Sequence, residues 1–195
     1  AKAMGIDGRI SPKFLHPGPG FGGSCFPKDT KALVSMAKEL GTNLKVVENA
    51  IVANQLQKER MVKKLFNLLD NKISGKTIAI LGLAFKAQTD DIRESPSIEM
   101  INSLMKAGAD IKAFDPEAND NMKKLFKDLY TCSTWEEAVQ DADGAVIMTE
   151  WNEFRALDFT KIKEKIKDAI IFDLRNIYRS ADLEKLGFLY YGIGK

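Results

Sequence analysis

Lys76-Thr77-Ile78-Ala79-Ile80-Leu81-Gly82 is a short apolar run, rich in β-branched residues, that follows Gly75 and stops at a glycine. Such a run reads as a strand buried on both faces of a parallel sheet. Beyond it, Ser95-Pro96-Ser97-Ile98-Glu99 opens a helix to about Ala107, with Ser95 suited to the N-cap and Pro96 to the first helical position. Asp110–Phe114 is a second strand, closed by Asp115-Pro116. A helix over Ala118–Leu129, a short strand at Tyr130–Cys132 and a short helix at Thr134–Gln140 follow, the last capped by Thr134. Ala145–Thr149 and Ala169–Asp173 read as strands, with Lys161–Lys167 in a helix between them. Leu183–Tyr191 reads as a helix end, Gly187 and a last strand. Strands that alternate with helices imply an α/β fold, a doubly wound parallel sheet from about residue 74 to 195.

Upstream the texture differs. Residues 1–28 are rich in Gly and Pro and show little periodicity, so they read as a loop. From Asp29 a helix pattern begins, with Leu33, Val34, Met36, Ala37 and Leu40 at helical spacing and Gly41 as its end. Leu44 to about Leu69 is a longer periodic stretch, in which Val47, Ala50, Ile51, Asn54, Met61, Val62, Leu65 and Leu69 form one stripe. A helix of about 25 residues would run roughly 38 Å, long enough to bridge two domains or form a dimer seam. The expected organisation is a helical region with an active-site loop at 1–73 and an α/β domain at 74–195.

The chain has 195 residues, 45% of them apolar, with 29 basic and 27 acidic side chains and a net charge of +2. A general nucleic-acid binder would carry a larger basic excess. No apolar run reaches the roughly 18 residues of a membrane span, and the start lacks a signal peptide's apolar core. The two cysteines, Cys25 and Cys132, do not make a disulfide framework, and a cytoplasmic setting is expected. The opening Ala1-Lys-Ala-Met-Gly5 reads as an internal start, so the chain is expected to be a portion of a longer protein.

Four sequence features carry chemistry. In Gly18-Pro-Gly-Phe-Gly-Gly-Ser-Cys-Phe-Pro-Lys-Asp29, four glycines within six residues let backbone approach a ligand closely, and a thiol follows. A thiol near a helix N-terminus and beside Lys28 should be biased toward the thiolate. Asp29 could be an N-cap, a general base, or both. Second, Leu81-Gly-Leu-Ala-Phe-Lys86 imitates a dinucleotide fingerprint, but its helix begins only after Ala87–Glu94. A pyrophosphate turn runs directly into its helix, so a nucleotide diphosphate held through Lys86 and a longer loop is the expectation. Third, Arg93 in Thr89–Ser95 could clamp a phosphate or ribose, or pair locally with a carboxylate. Fourth, Arg175 in Phe172-Asp-Leu-Arg-Asn176 lies at a strand's C-terminal end with Lys86 and Asp115, where ligands of open α/β sheets collect. Cys132 reads as inert packing, and Trp135 and Trp151 as core or loop anchors.

These residues resemble the UDP-glucose/GDP-mannose dehydrogenase family. Phe14-Leu-His-Pro-Gly-Pro-Gly-Phe-Gly-Gly-Ser-Cys-Phe-Pro-Lys-Asp29 is similar to its active-site signature, and Gly82–Lys86, Asp91–Pro96, Phe114–Pro116, Thr149–Trp151 and Phe172–Arg175 continue the likeness in order. The Ser24-Cys25 pair is similar to the UDP-glucose enzymes, whereas N-acetyl-hexosamine dehydrogenases usually carry a histidine before the cysteine. The resemblance implies oxidation of UDP-glucose to UDP-glucuronate with two NAD, through a thiohemiacetal and then a thioester on Cys25, with Asp29 helping to activate water. It implies that Phe14, Leu15, His16, Pro17, Gly18, Phe21 and Gly22 line the sugar-nucleotide site. Phe85, Lys86 and Arg175 would hold the uridine diphosphate, and Arg9 would reach the hexose of a neighbouring subunit. Lys28 and Arg93 would touch NAD. It also implies a homodimer through the long helix, and an NAD fingerprint and further catalytic groups upstream of Ala1. The competing expectations are a stand-alone nucleotide-diphosphate-binding module, a GDP-mannose dehydrogenase, and a Cys–His hydrolase using His16, the only histidine.

Overall fold

The computed structural model describes residues 2–194, the side chains of Lys13 and Phe14 excepted. The chain opens with a one-turn helix α1 (Lys2–Gly5) and a 3-10 turn (Pro12–Leu15). Helices α2 (Cys25–Glu39) and α3 (Lys45–Leu68) follow. α3 has 24 residues, a length of about 36 Å.

From residue 77 strands and helices alternate. β1 (Thr77–Leu81), α4 (Pro96–Lys106), β2 (Asp110–Phe114), α5 (Asn119–Leu125) and β3 (Tyr130–Thr131) build one half. α6 (Trp135–Val139), β4 (Gly144–Ile147), α7 (Asn152–Arg155), α8 (Phe159–Lys165), β5 (Ile170–Asp173), α9 (Ser180–Lys185) and β6 (Leu189–Gly192) build the other. The six strands are all parallel, in the order β3-β2-β1-β4-β5-β6. The order reverses between β1 and β4, which in this topology is where ligands sit, outside the strands' C-terminal ends.

Alternation along β1 sends its side chains to both faces. Ile78 and Ile80 join Met100, Ile101 and Leu104 of α4 and Met122 of α5 in one core. Ala79 and Leu81 join Val139 of α6, Phe154 of α7, Ile162 of α8 and Leu183 of α9 in the other. The C-terminal half of α3 belongs to the first core through Met61, Val62 and Leu65. α4 starts as its sequence predicts: Ser95 accepts from the Ser97 amide and Pro96 takes the first helical position.

Several local expectations are corrected. α2 begins at Cys25, not near Asp29, because Pro27 falls in the first helical turn, where its missing N–H is an orphan donor anyway. Asp29 is therefore inside the helix and is not its N-cap; Ser24 holds that position without a side-chain cap bond. α5 stops at Leu125, since Phe126 turns extended at φ −120 and ψ 92. α8 stops at Lys165, and Lys167 instead donates to Asp143 at 2.7 Å. α7 was not legible as a helix; it is one turn of four residues, too short to show a period.

Candidate active site

Cys25 is the first residue of α2, and it is exposed. Ser24 Oγ lies 3.7 Å from its Sγ. The first turn of a 15-residue helix presents unpaired amides and the positive end of the helix dipole. Lys28 and Asp29 stand in that same turn region, both exposed, their charged ends 3.5 Å apart. Phe21 and Phe26 bracket the loop in an edge-to-face pair with centroids 4.7 Å apart.

The glycines of this loop are explained by what touches them. A Cβ on Gly22 would lie 2.5 Å from the carbonyl oxygen of Glu94. Gly23 has φ +89, and a Cβ there would lie 2.8 Å from the Phe85 ring. Its amide donates to the carbonyl of Arg93 at 2.7 Å. The cysteine loop is therefore pressed against the segment between β1 and α4, and only glycine permits that approach.

That segment, residues 82–95, carries Phe85, Lys86 and Arg93. Lys86 is exposed, with its Nζ 5.4 Å from the Phe85 ring centroid. Arg93 makes a bidentate pair with Asp91, at 2.9 and 2.8 Å. Asp91 above all, and the Cys25 side chain among weaker neighbours, push the Arg93 guanidinium above its ordinary value, and Arg93 in turn holds the Asp91 carboxyl low. Of the two sequence readings of Arg93, the local pair is present, at 2.9 and 2.8 Å.

Arg175 is the point at which the sheet meets the loops. Its side chain is only 15% exposed. Nε donates to the Met148 carbonyl at 2.7 Å and Nη2 to the Phe85 carbonyl at 3.1 Å. Glu150 Oε2 lies 3.1 Å from Nε as an ion pair. Burial pulls the guanidinium below its ordinary value, and Glu150 and Asp173 oppose that shift. A Cβ on Gly18 would lie 3.3 Å from Nη1, so the front of the cysteine loop abuts this same guanidinium. His16 and Pro17 line a cavity of about 160 Å³ with Glu150, Arg155, Arg175 and Asn176.

The remaining predicted residues fall as follows. Leu15 is half-buried at the end of the 3-10 turn. The side chain of Phe14 lies outside the described residues. Arg9 is exposed and closed on Asp7 at 2.6 Å.

One residue has a role that sequence reasoning missed. Asp115, at the end of β2, is 1% exposed. Its Oδ2 accepts from the Leu83 and Ala84 amides at 2.6 and 3.1 Å and from Trp151 Nε1 at 3.1 Å. Its Oδ1 accepts from the Glu117 and Ala118 amides. In a dinucleotide-binding turn the amides after the first strand face a pyrophosphate; here an internal carboxylate takes them. Thr149 Oγ1 donates to the Ala84 carbonyl at 2.6 Å, and Ser95 and Ser97 both donate to that of Leu83. The only sequence signals were the Phe114-Asp-Pro116 and Thr149-Glu-Trp151 motifs themselves. Trp151 is thus more than an anchor.

Comparison with known proteins agrees with this geometry. The model of the UDP-glucose/GDP-mannose dehydrogenase family's UDP binding domain matches residues 79–180, and that of its central domain matches residues 1–56. A UDP-glucose 6-dehydrogenase of Rhizobium meliloti (strain 1021) is 47% identical over 195 residues, covering 100% of this chain and 45% of the relative. One of Rickettsia bellii (strain RML369-C) is 46% identical over 197 residues, again 100% of this chain and 45% of the relative. The solved structure of a UDP-glucose dehydrogenase from Pyrobaculum islandicum superposes with a TM-score of 0.81 at 29% identity, covering 93% of this chain and 40% of that one. The chain thus spans about 45% of the length of the curated relatives it matches. Among the described residues, no helix is long and apolar enough to cross a membrane.

Proposed function

This chain belongs to the UDP-glucose/GDP-mannose dehydrogenase family, and from that membership we propose that it supplies the central and UDP-binding portions of an enzyme that oxidises UDP-glucose to UDP-glucuronate. The observation that carries the reading is the position of Cys25: an exposed thiol on the first turn of α2, in a loop joined to the sheet's ligand-binding edge by the Gly23–Arg93 bond. Identity of 47% and 46% to UDP-glucose 6-dehydrogenases favours that sugar nucleotide over GDP-mannose.

The diphosphate would lie outside the ends of β1 and β4, between Lys86 and Arg175. Arg175 already pairs there with Glu150 at 3.1 Å, so an incoming phosphate would exchange one anionic partner for another. Phe14, Leu15, His16, Pro17, Gly18, Phe21 and Gly22 would follow the nucleotide toward the hexose, and Arg9 would complete the pocket of a neighbouring subunit. The Cys25 thiolate would attack the C6 aldehyde, forming a C–S bond and a thiohemiacetal. Loss of a hydride from C6 and of the hydroxyl proton, two electrons and two protons in all, gives the thioester, and water cleaves the C–S bond to return the thiolate and release the carboxylate. Asp29, one turn along α2, would take the proton from that water. Thiols suit this task because the adduct is itself oxidisable and its thioester hydrolyses.

The residues present fit one wall of a nicotinamide dinucleotide. Lys28 follows Cys25 within one turn of α2 and Arg93 adjoins the cysteine loop through the Gly23 amide, both exposed, as an anionic cofactor requires, whereas the β1 turn is closed to its pyrophosphate by Asp115. NAD, when bound, supplies the two-electron acceptor for each oxidation. The Lys28 and Arg93 side chains would hold its charge on the cysteine side.

A second copy would cover the apolar face formed by α2 and the first half of α3, where Leu33, Met36, Leu40, Val46, Val52 and Leu56 are exposed. The decisive test is Cys25→Ala in an enzyme of the relatives' full length that carries this chain. NAD reduction with UDP-glucose should fall by at least about 10³-fold, with UDP affinity unchanged. Retention of a tenth of the activity would reject the mechanism.

A further inference from the structure

Three polar residues of α3, separated by three and four positions, share one face of the helix. Asn54 and Gln57 reach the cysteine loop, and Lys58 reaches the 82–95 segment. Asn54 pairs with Phe21 as a backbone would: the Phe21 amide donates to Oδ1 at 2.7 Å, and Nδ2 donates to the Phe21 carbonyl at 3.1 Å. Gln57 Nε2 donates to the Gly18 carbonyl at 3.1 Å. Lys58 Nζ donates to the Glu94 carbonyl at 3.0 Å, with Glu94 Oε2 at 3.9 Å.

We infer that Asn54, Gln57 and Lys58 are positioning residues that lock the cysteine loop to the 82–95 segment, and so set Cys25 relative to the nucleotide-binding end of the site. This rests on Cys25 being the nucleophile, as proposed above.

The contacts are specific. Gly20 sits at φ +124, and a Cβ there would lie 2.8 Å from Asn54 Oδ1 and 3.0 Å from Lys58 Cγ. The loop's closest approach to α3 is therefore made where only glycine fits. Gly18, held by Gln57, is the residue that abuts Arg175. Glu94, held by Lys58, is the residue against which Gly22 packs, and it adopts φ +53, a strained value for a side-chain-bearing residue. Lys31 of α2 pairs with Glu94 at 2.6 Å, closing the network on the helix that carries Cys25. Lys58 is only 7% exposed. An apolar side chain would serve packing at that position at least as well; an ammonium aimed at one carbonyl adds direction. None of the three reaches the nucleotide site around Arg175 directly, so their effect is on register. A misplacement of about 1 Å at a reacting centre is worth on the order of 10²-fold in rate.

Asn54→Asp, which keeps the acceptor and loses the donor, and Lys58→Met, which keeps the stem and loses the charge, test this in the full-length enzyme. The expected result is a kcat lowered about 10–100-fold with the Kd for UDP, measured by calorimetry, within twofold of wild type. Asn49→Ala, on an exposed side chain of the same helix, should leave kcat unaltered. An unchanged kcat in both variants would overturn the inference. So would kcat, UDP affinity and melting temperature falling together, the pattern of a merely structural role. The alkylation rate of Cys25 in this chain gives a readout that needs no turnover, so it separates failure of this inference from failure of the proposed reaction. It should differ several-fold between wild type and Lys58→Met, and identical rates would count against positioning even if UDP-glucose is not the substrate.

Discussion

The two halves of α3 carry similar apolar residues and treat them in opposite ways. Val46 is 85% exposed, and Val52 and Leu56 are each 53% exposed; Met61, Leu65 and Leu69 are 4%, 2% and 5% exposed. The second half belongs to the sheet's first core and packs on α4. The first half lies beside α2, whose only buried residues are Pro27 and Ala37. An apolar stripe states that a helix has a face to cover. It does not state that the same chain covers it. The sheet region satisfies itself; the helical region half-buries the stripe's Val47 and Ile51 and leaves Val46, Val52 and Leu56, which lie off that stripe, in solvent.

Substitutions along one helix can break this contrast. Leu65→Ala should lower unfolding free energy in urea by about 2–5 kcal/mol, the range for removing a leucine from a close-packed core. Val52→Ala should stay within about 0.5 kcal/mol in dilute chain. Val52→Glu should instead weaken self-association in sedimentation velocity, leaving the monomer's melting unchanged. Equal stability costs for Leu65→Ala and Val52→Ala would show that the helical face is already covered within the chain. A wild-type chain that stays monomeric at high micromolar concentration would remove the second copy from the argument.

Carboxylates draw the same line. Asp115 has five N–H donors around two buried oxygens, while Asp7 pairs with Arg9 in full solvent. Hydrogen bonds to a buried charge are each worth about 1.5–3 kcal/mol, and Asn in place of Asp115 turns an NH₂ toward donors. Asp115→Asn should therefore cost about 2–3 kcal/mol and weaken UDP binding, because the Leu83–Ala84 turn carries Phe85 and Lys86. Asp7→Asn should leave the melting temperature where it is. A thermally neutral Asp115→Asn would mean that the turn is held by Thr149, Ser95 and Ser97 alone.

What could be read from residues alone follows the same division. The strands were legible because runs such as Thr77–Leu81 and Ile170–Asp173 are set by local composition, and the α4 start because Ser95 and Pro96 act on their own neighbours. The cysteine motif and Lys86 and Arg175 were legible as chemistry from residue type and position. Asp115 was not, since its partners are 31 and 32 residues away and its inward aim depends on β1 and β2 being paired. Nor was the polar face of α3: Asn54 fell within the apolar stripe, and Gln57 and Lys58 looked like ordinary solvated positions. The start of α2 was read near Asp29 rather than at Cys25, because apolar spacing begins only at Leu33 and the first turn, Cys25–Lys28, shows no period of its own.

The smallest effect separates the two cysteines. Cys25 is exposed in the helical region; Cys132 is 2% exposed beneath α6, and burial pushes its thiol up to about 11 from the usual 9.0. A thiol whose folded value is raised holds its proton longer in the native state than in the unfolded one. Its contribution to stability is thus intact below pH 9 and is lost as pH rises from 9 toward 11. Cys132→Val should flatten that part of the wild-type stability curve, and Cys25→Ser should not. At pH 8 a disulfide reagent should modify one thiol per native chain quickly and the second only at the rate of unfolding. Two fast thiols would mean that the β3 edge opens locally, and the self-sufficiency of the sheet region would then end at β2.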